Sequence, residues 1–261
     1  MESTQTRPNN LKIIADDLGI AESINRGIVL ALENGWIDGA SIMANGEAFD
    51  DAIAKIKSYE VQPSIGIHFV LVEEKSVTGI DLPKNHKIFF IKYVLGLINL
   101  TDIEKELKAQ LNKCINVGIK LAFINSHQHL HLLPGIADIV IKLAKENNIP
   151  HIRIVNEPIS LVKGKLFRQA QLLFLNFLSR LVKNKIKKEN LKYNDIFIGF
   201  INAGNLKKEN KDLAQKLARE YPNKIIELGC HPGYGDDNMQ KYYKNWGNYN
   251  WEKELDLLKD R

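Results

Sequence analysis

A chain of 261 residues is long enough to bury one large α/β core or two smaller ones. Its 44% hydrophobic and 26% charged residues are those of an ordinary soluble globular protein, and two cysteines, Cys114 and Cys230, exclude a disulfide framework or a CxxC zinc pattern. The net charge of +5 is uneven: residues 159–192 carry nine basic side chains against the single acid Glu189, so the rest of the chain is about −3 and the bulk charge gives no reason to expect nucleic acid.

The polar start, Met1 to Asn10, has no apolar segment of the kind a signal peptide needs. No uncharged stretch reaches the roughly 20 residues of a spanning helix. A reducing, cytoplasmic setting is the expectation. Seven short apolar runs then read as strands: 11–16, 39–45, 64–71, 121–127, 151–156, 195–201 and 224–230. Helical patterns separate most of them. Ala21 to Gly35 places Ile24, Ile28 and Leu32 on one face, with Gly35 where a helix C-cap falls. Val72 to Leu100 is a long connection with Phe89, Phe90 and Tyr93, a candidate lid. Thr101-x-x-Glu104 has a capping-box pattern opening a helix to about Val117. Gly135 to Asn148 is amphipathic and stops before Pro150; Leu206 to Tyr221 is similar and stops before Pro222. Residues 159–192 form a long basic and apolar helical insertion, and the tail bears Trp246, Tyr249 and Trp251 on an expected final helix.

Strand-then-helix repeated about seven times argues for a parallel sheet with crossover helices. The fold expected is a single-domain α/β, TIM-like (β/α) barrel of about seven parallel strands. A barrel is preferred over an open sheet because the polar residues described next end four different runs, and the strand ends of a barrel ring one mouth.

Those residues are Asp16-Asp17 after the first run, His68 at the end of Ser64-Ile65-Gly66-Ile67, the alternating His127, His129 and His131 after the fourth, and His231 after Cys230. Carboxylates and imidazoles gathered in this way suit a divalent-metal hydrolase. Each also has a plainer reading. Asp17 suits the cap of the next helix, and a lone His68 in an apolar run suits a hydrogen-bonded core residue. If the strand stays extended, the three histidines share a face: His127 sits deepest, while His129 and His131 bind substrate, hold water or cap structure. His231 is suited to protonating a leaving group. Cys230 beside it looks like a nucleophile, but it lies within the strand run. Arg153 and Glu157 read as an ion pair at the rim or as substrate contacts. No Gly-x-Gly-x-x-Gly, Walker A or Gly-x-Ser-x-Gly pattern occurs.

Taken in order, Ala15-Asp16-Asp17-Leu18-Gly19, Asn45-Gly46, Gly66-Ile67-His68-Phe69-Val70-Leu71, Ser126-His127-Gln128-His129-Leu130-His131, Ile152-Arg153-Ile154 and Cys230-His231-Pro232-Gly233-Tyr234 resemble the motifs of the YdjC-like carbohydrate deacetylases, the ChbG/HpnK group. The resemblance spans roughly residues 11 to 235. It implies removal of the N-acetyl group from an amino sugar with the help of one divalent ion, Mg or Zn. It further implies Asp17, His68 and His127 as metal ligands, Asp16 as general base, His231 as acid, and Arg153 near the substrate. Two positions depart from the family pattern: Leu18 stands for Phe, and Asn125 for the Asp before Ser-His, with loss of a charge that orients a ligand or tunes the ion. Val70-Leu71-Val72-Glu73 and Ile154-Val155-Asn156-Glu157-Pro158 look closer to the hopanoid-associated branch. Its lipid-linked sugars would make peripheral membrane contact through 159–192 useful. Other readings are a different hydrolase on the same barrel and a non-catalytic glycan-binding relative; a homodimer through the exposed aromatics is a further expectation.

Overall fold

The computed structural model describes residues 7–159, 166–237, 239 and 249–259. Seven strands, all paired in parallel, build one sheet. They are β1 (Leu11–Leu18), β2 (Gly39–Ile42), β3 (Ser64–Phe69), β4 (Leu121–Ser126), β5 (His151–Ile152), β6 (Ile196–Ile198) and β7 (Ile226–Cys230), in the order β5-β4-β3-β2-β1-β7-β6. Their connections carry α1 (Glu22–Glu33), α2 (Phe49–Lys57), α3 (His86–Val94), α4 (Leu100–Asn116), α5 (Ile136–Glu146), α6 (Leu166–Lys188) and α7 (Lys208–Glu220), and α8 (Trp251–Lys259) follows β7. The strands are nearly continuous apolar runs because both faces are buried.

The outer strands β5 and β6 share no ladder, but the sheet curls until their neighbourhoods meet. Ile152 N–H donates to Lys192 O (3.0 Å) and Phe197 N–H to Asn156 O (3.3 Å), while the Asn194 amide bonds both the N–H and the carbonyl of Ile154 at 2.8 Å. The result is the TIM-like barrel of seven parallel strands, incompletely laddered at one seam.

The run expected as a strand to 156 is one only at His151–Ile152; Arg153 N–H still donates to Ile124 O of β4 (2.9 Å), and the chain beyond it carries no ladder among the described residues. Its later N–H groups are met by side chains: Val155 by Ser179 Oγ (2.9 Å) and Glu157 by Asn176 Oδ1 (3.2 Å), both from α6. The basic and apolar insertion is therefore a helix whose inner face satisfies buried backbone. Its stretch at 160–165 lies outside the described residues, as does Trp246. Thr101 does not cap α4. The helix begins at Leu100, and the Asn99 side chain accepts from Thr101 N–H at 2.9 Å. The tail does pack as a helix, burying Trp251, Leu255 and Leu258.

Candidate active site

β1 runs two residues further than its apolar pattern suggests, with a bulge between Ala15 and Leu18. Asp17 there takes φ +66°, a left-handed conformation that Asp tolerates better than most residues. This break in alternation turns two adjacent carboxylates into the same centre, where a regular strand would send them to opposite faces. Asp17 is not a helix cap: α1 starts after Ala21.

Asp17 Oδ1 lies 3.2 Å from His68 Nε2 and 3.5 Å from His127 Nδ1. One ligand atom from each of Asp17, His68 and His127 falls within 4.8 Å of the others. Both Asp17 oxygens and His68 Nε2 are buried without a hydrogen bond among the described residues. Orphaned, buried acceptors of this kind are costly unless something else satisfies them. Two imidazole nitrogens and a carboxylate fit a borderline or hard divalent ion, and leave open positions for a reacting molecule. The other nitrogen of each ring is already held: His68 Nδ1 by Asn125 Oδ1 (2.7 Å), and His127 Nε2 by Glu73 Oε2 (3.2 Å).

Asp16 sits beside this cluster in a different environment. Its Oδ1 accepts from Ser41 Oγ (2.7 Å), Asn125 Nδ2 (2.9 Å) and Arg153 Nη2 (3.0 Å), and its Oδ2 from Arg153 Nη1. Burial alone would raise its pKa, but the guanidinium of Arg153 overcomes this and holds the carboxyl far below the usual range. Asn125 thus donates to Asp16 with its amide nitrogen and accepts from His68 with its oxygen. A carboxylate at 125 would face Asp16 at 2.9 Å and would need a proton to make the same pair of bonds.

Arg153 is 0% exposed. Its guanidinium spans Asp16 and, through Nε, Glu227 of β7. The expected Arg153–Glu157 pair does not form: Glu157 instead accepts the N–H groups of Gly199, Phe200 and Ile201. Arg153 therefore lies beneath the site, bound to Asp16 and with its guanidinium 5.1 Å from the centre of the Phe197 ring, and is too buried for the substrate contact expected of it.

The three alternating histidines do not share a strand face. β4 ends at Ser126, and His127–Leu132 wind into a short 3₁₀ segment with Gln128 and His129 both at φ +55°. His127 turns to Asp17. His129 packs against Phe197 and Phe200, at ring-centre distances of 5.7 and 5.8 Å, and burial followed by the Arg153 charge keeps it neutral. His131 folds back under the turn: Ser126 Oγ meets its Nδ1 at 2.6 Å and its Nε2 meets Arg153 O at 2.9 Å. Burial pushes its pKa down to about 4, so this latch is a neutral imidazole and does not reach the pocket where a substrate contact was expected.

His231 follows β7. Its loop is pressed onto α1 where two glycines touch: a Cβ on Gly27 would stand 2.4 Å from Gly233 Cα. Glu254 of α8 accepts from His231 N–H at 2.6 Å and lies 3.8 Å from its Nδ1. Burial would lower the His231 pKa, yet Glu254, with Asp17 and Asp16, lifts it to about 9. Cys230 is fully buried with its Sγ against Ile14 O (3.4 Å), and burial raises its pKa well above normal, which removes it as a nucleophile.

A pocket of about 390 Å³ opens over these groups, lined by Asp16, His68, Glu73, His127, His129 and His231 among others. Aromatic walls come from Phe197, Phe200 and Tyr249, and the rim from His86 and Lys87 of α3 with Phe167, Arg168 and Gln171 of α6. Both long connections singled out in the sequence therefore reach the mouth. Ser41, Glu227 and Glu254 carried no sequence signal strong enough to select them, although Glu227 is a lone acid within an apolar strand.

Fold and site together define an α/β barrel whose strand ends enclose a buried Asp-His-His cluster able to hold a divalent ion. The chain belongs to the YdjC-like protein family, whose model matches residues 10–261. A carbohydrate deacetylase of Clostridium beijerinckii is 29% identical over 236 residues, covering 86% of this chain and 82% of the relative. One from Oceanobacillus iheyensis is 26% identical and covers 95% of each chain. A crystal structure from Enterococcus faecalis V583, of a protein assigned to cellobiose-phosphate cleavage, shares the fold. It superposes with a TM-score of 0.68 at 19% identity, covering 96% of this chain and 90% of that one.

Proposed function

We propose that this protein is a metal-dependent carbohydrate deacetylase that removes the N-acetyl group of an amino sugar. The observation that carries the reading is the buried cluster of Asp17, His68 and His127 with orphaned acceptors beside an ionised Asp16 and a cationic His231. One divalent ion, Mg or Zn, is the cofactor; it would polarise the acetyl carbonyl and make water a stronger acid. Asp16, kept ionised and fixed in place by Arg153, Ser41 and Asn125, takes the proton of the attacking water and passes it to solvent after the C–N bond has broken. His231, kept protonated by Glu254, gives a proton to the sugar nitrogen as the amide C–N bond breaks, leaving acetate and a free amine. His129 offers a neutral ring and the Phe197, Phe200 and Tyr249 walls an apolar surface for the sugar.

Acetate release from N-acetylglucosamine, diacetylchitobiose and a lipid-linked N-acetylglucosamine tests the substrate class. Release from none of them, with an ion bound stoichiometrically, would contradict it and favour another hydrolase or a glycan-binding protein. The pH profile tests His231. A group whose folded pKa is raised to about 9 is protonated below that value, so kcat falls as pH rises through it. A bound cation weakens the pull of Asp17 and moves this limb lower. His231→Gln should remove the limb and lower kcat by about 10²–10⁴-fold; a profile unchanged in the variant would exclude His231 as the acid.

No described helix is long and apolar enough to cross a membrane. The reading extends to a peripheral, cytoplasmic enzyme acting on a lipid-linked sugar. Phe167, on the pocket rim, is 72% exposed, and Leu166, Leu173, Phe174 and Phe177 continue an exposed apolar stripe along α6, with Phe90 of α3 against Phe174 at 5.7 Å. The support comes from this apolar half. In the basic half, Lys185 pairs with Asp138 (2.6 Å) and Lys183 lies 3.9 Å from Asp195. Co-sedimentation with anionic vesicles should be lost in Phe167→Ser/Phe177→Ser. No sedimentation of the parent, with a dimer seen by light scattering, would assign the face to a homodimer.

A further inference from the structure

We infer that Glu73 is a positioning residue that turns His127 so that its Nδ1 faces Asp17. The inference rests on the reading above that Asp17, His68 and His127 hold a divalent ion. His127 lies between two carboxylates, with Nδ1 3.5 Å from Asp17 Oδ1 and Nε2 3.2 Å from Glu73 Oε2. When Nε2–H donates to Glu73, the tautomer and the rotation of the ring are set together, and the Nδ1 lone pair is left pointing inward. His68 is arranged in the opposite sense, with Nε2 inward and Nδ1 on Asn125, so each ring has one nitrogen for the cluster and one for an anchor.

The backbone around Glu73 shows that its place is enforced. Glu73 has φ +73°, a left-handed region that a long side chain rarely adopts. The segment is held on both sides from α4. Gln110 bonds the N–H and carbonyl of Val70 at 3.0 and 2.7 Å. Glu106 accepts from Val77 N–H (2.8 Å), Thr78 N–H (2.9 Å) and Thr78 Oγ (2.6 Å), and Gln110 Nε2 donates to it at 2.8 Å. Both clamp residues are wholly buried. Three residues before Glu73 and four after it, the chain is pinned to one helix, and the residue between them, in a strained conformation, meets His127. A side chain that served only the surface would need none of this.

The test is Zn²⁺ titration by calorimetry of the chelator-stripped full-length protein, for the parent, Glu73→Gly and Glu73→Gln. Glycine accepts φ +73° and so removes the side chain without backbone strain; glutamine keeps an oxygen acceptor for Nε2–H. Ion affinity should fall about 10–100-fold in Glu73→Gly and recover to within a few-fold of the parent in Glu73→Gln. With ion at saturation, KM for the acetylated sugar should be unchanged in both. Equal affinity in the parent and Glu73→Gly would overturn the inference, as would a glutamine variant as weak as the glycine one. A rise in KM with ion affinity intact would make Glu73 a substrate contact instead. A parent that binds no ion would sink the ion-dependent reading itself, and this inference with it.

Discussion

Asp17→Asn is expected to abolish divalent-ion binding and to lower kcat/KM at least about 1,000-fold, some 4 kcal/mol of transition-state stabilisation. The substitution keeps the shape of the side chain, and Asn tolerates the φ of +66° at this position, so the bulge in β1 persists. What is lost is the charge that faces His68 and His127, together with one ligand oxygen. Calorimetry on the stripped protein and circular dichroism on the same sample separate the two outcomes. A folded variant with no ion binding supports the cluster; a folded variant that binds as the parent does would remove Asp17 from the ligand set.

Arg153→Met should be the most destabilising single change. Arg153 is 0% exposed and bridges Asp16 to Glu227, so methionine leaves two buried carboxylates without their cation. Breaking a buried pair in this way costs about 3–5 kcal/mol, or a Tm lower by ~6–20 °C for a chain of this size. Activity should fall as well, because Asp16 loses the partner that keeps it ionised and in place. Adding Glu227→Gln removes one of the stranded charges. Arg153→Met/Glu227→Gln should therefore regain part of the Tm in a thermal melt while staying inactive. A double variant that recovers activity with stability would show that Arg153 serves the fold alone.

These residues also show how far the sequence could be read. Strand positions were legible because parallel strands buried on both faces leave continuous apolar runs, and the residues ending four of those runs converge on one mouth as a barrel requires. Partnerships within the site were less legible. Arg153 and Glu157 are four residues apart, which brings side chains together on a helix but separates them by about 13 Å along extended backbone. A shared face for the three histidines requires extended backbone beyond the strand end expected at 127, whereas β4 stops at Ser126 and two left-handed residues, Gln128 and His129, send His127 and His131 in different directions. Asp16 and Asp17 share a centre through a bulge that no local pattern announces. Glu73, Glu227 and Glu254 come from a loop, a strand and the final helix. Their importance lies in what they touch across the fold, and an ordinary glutamate carries no mark of that. Asn125 was legible as a departure, but not its effect: in this network the amide can donate to Asp16 and accept from His68 at once.

The most direct measurement is acetate release by chelator-stripped protein to which Zn, Mg, Mn or Co is added back, with Asp16→Asn and His127→Ala as controls. Release that returns with ion and is absent in both variants is the predicted result. Release that persists without ion, or survives in His127→Ala, would contradict a reaction run by the Asp17, His68 and His127 cluster.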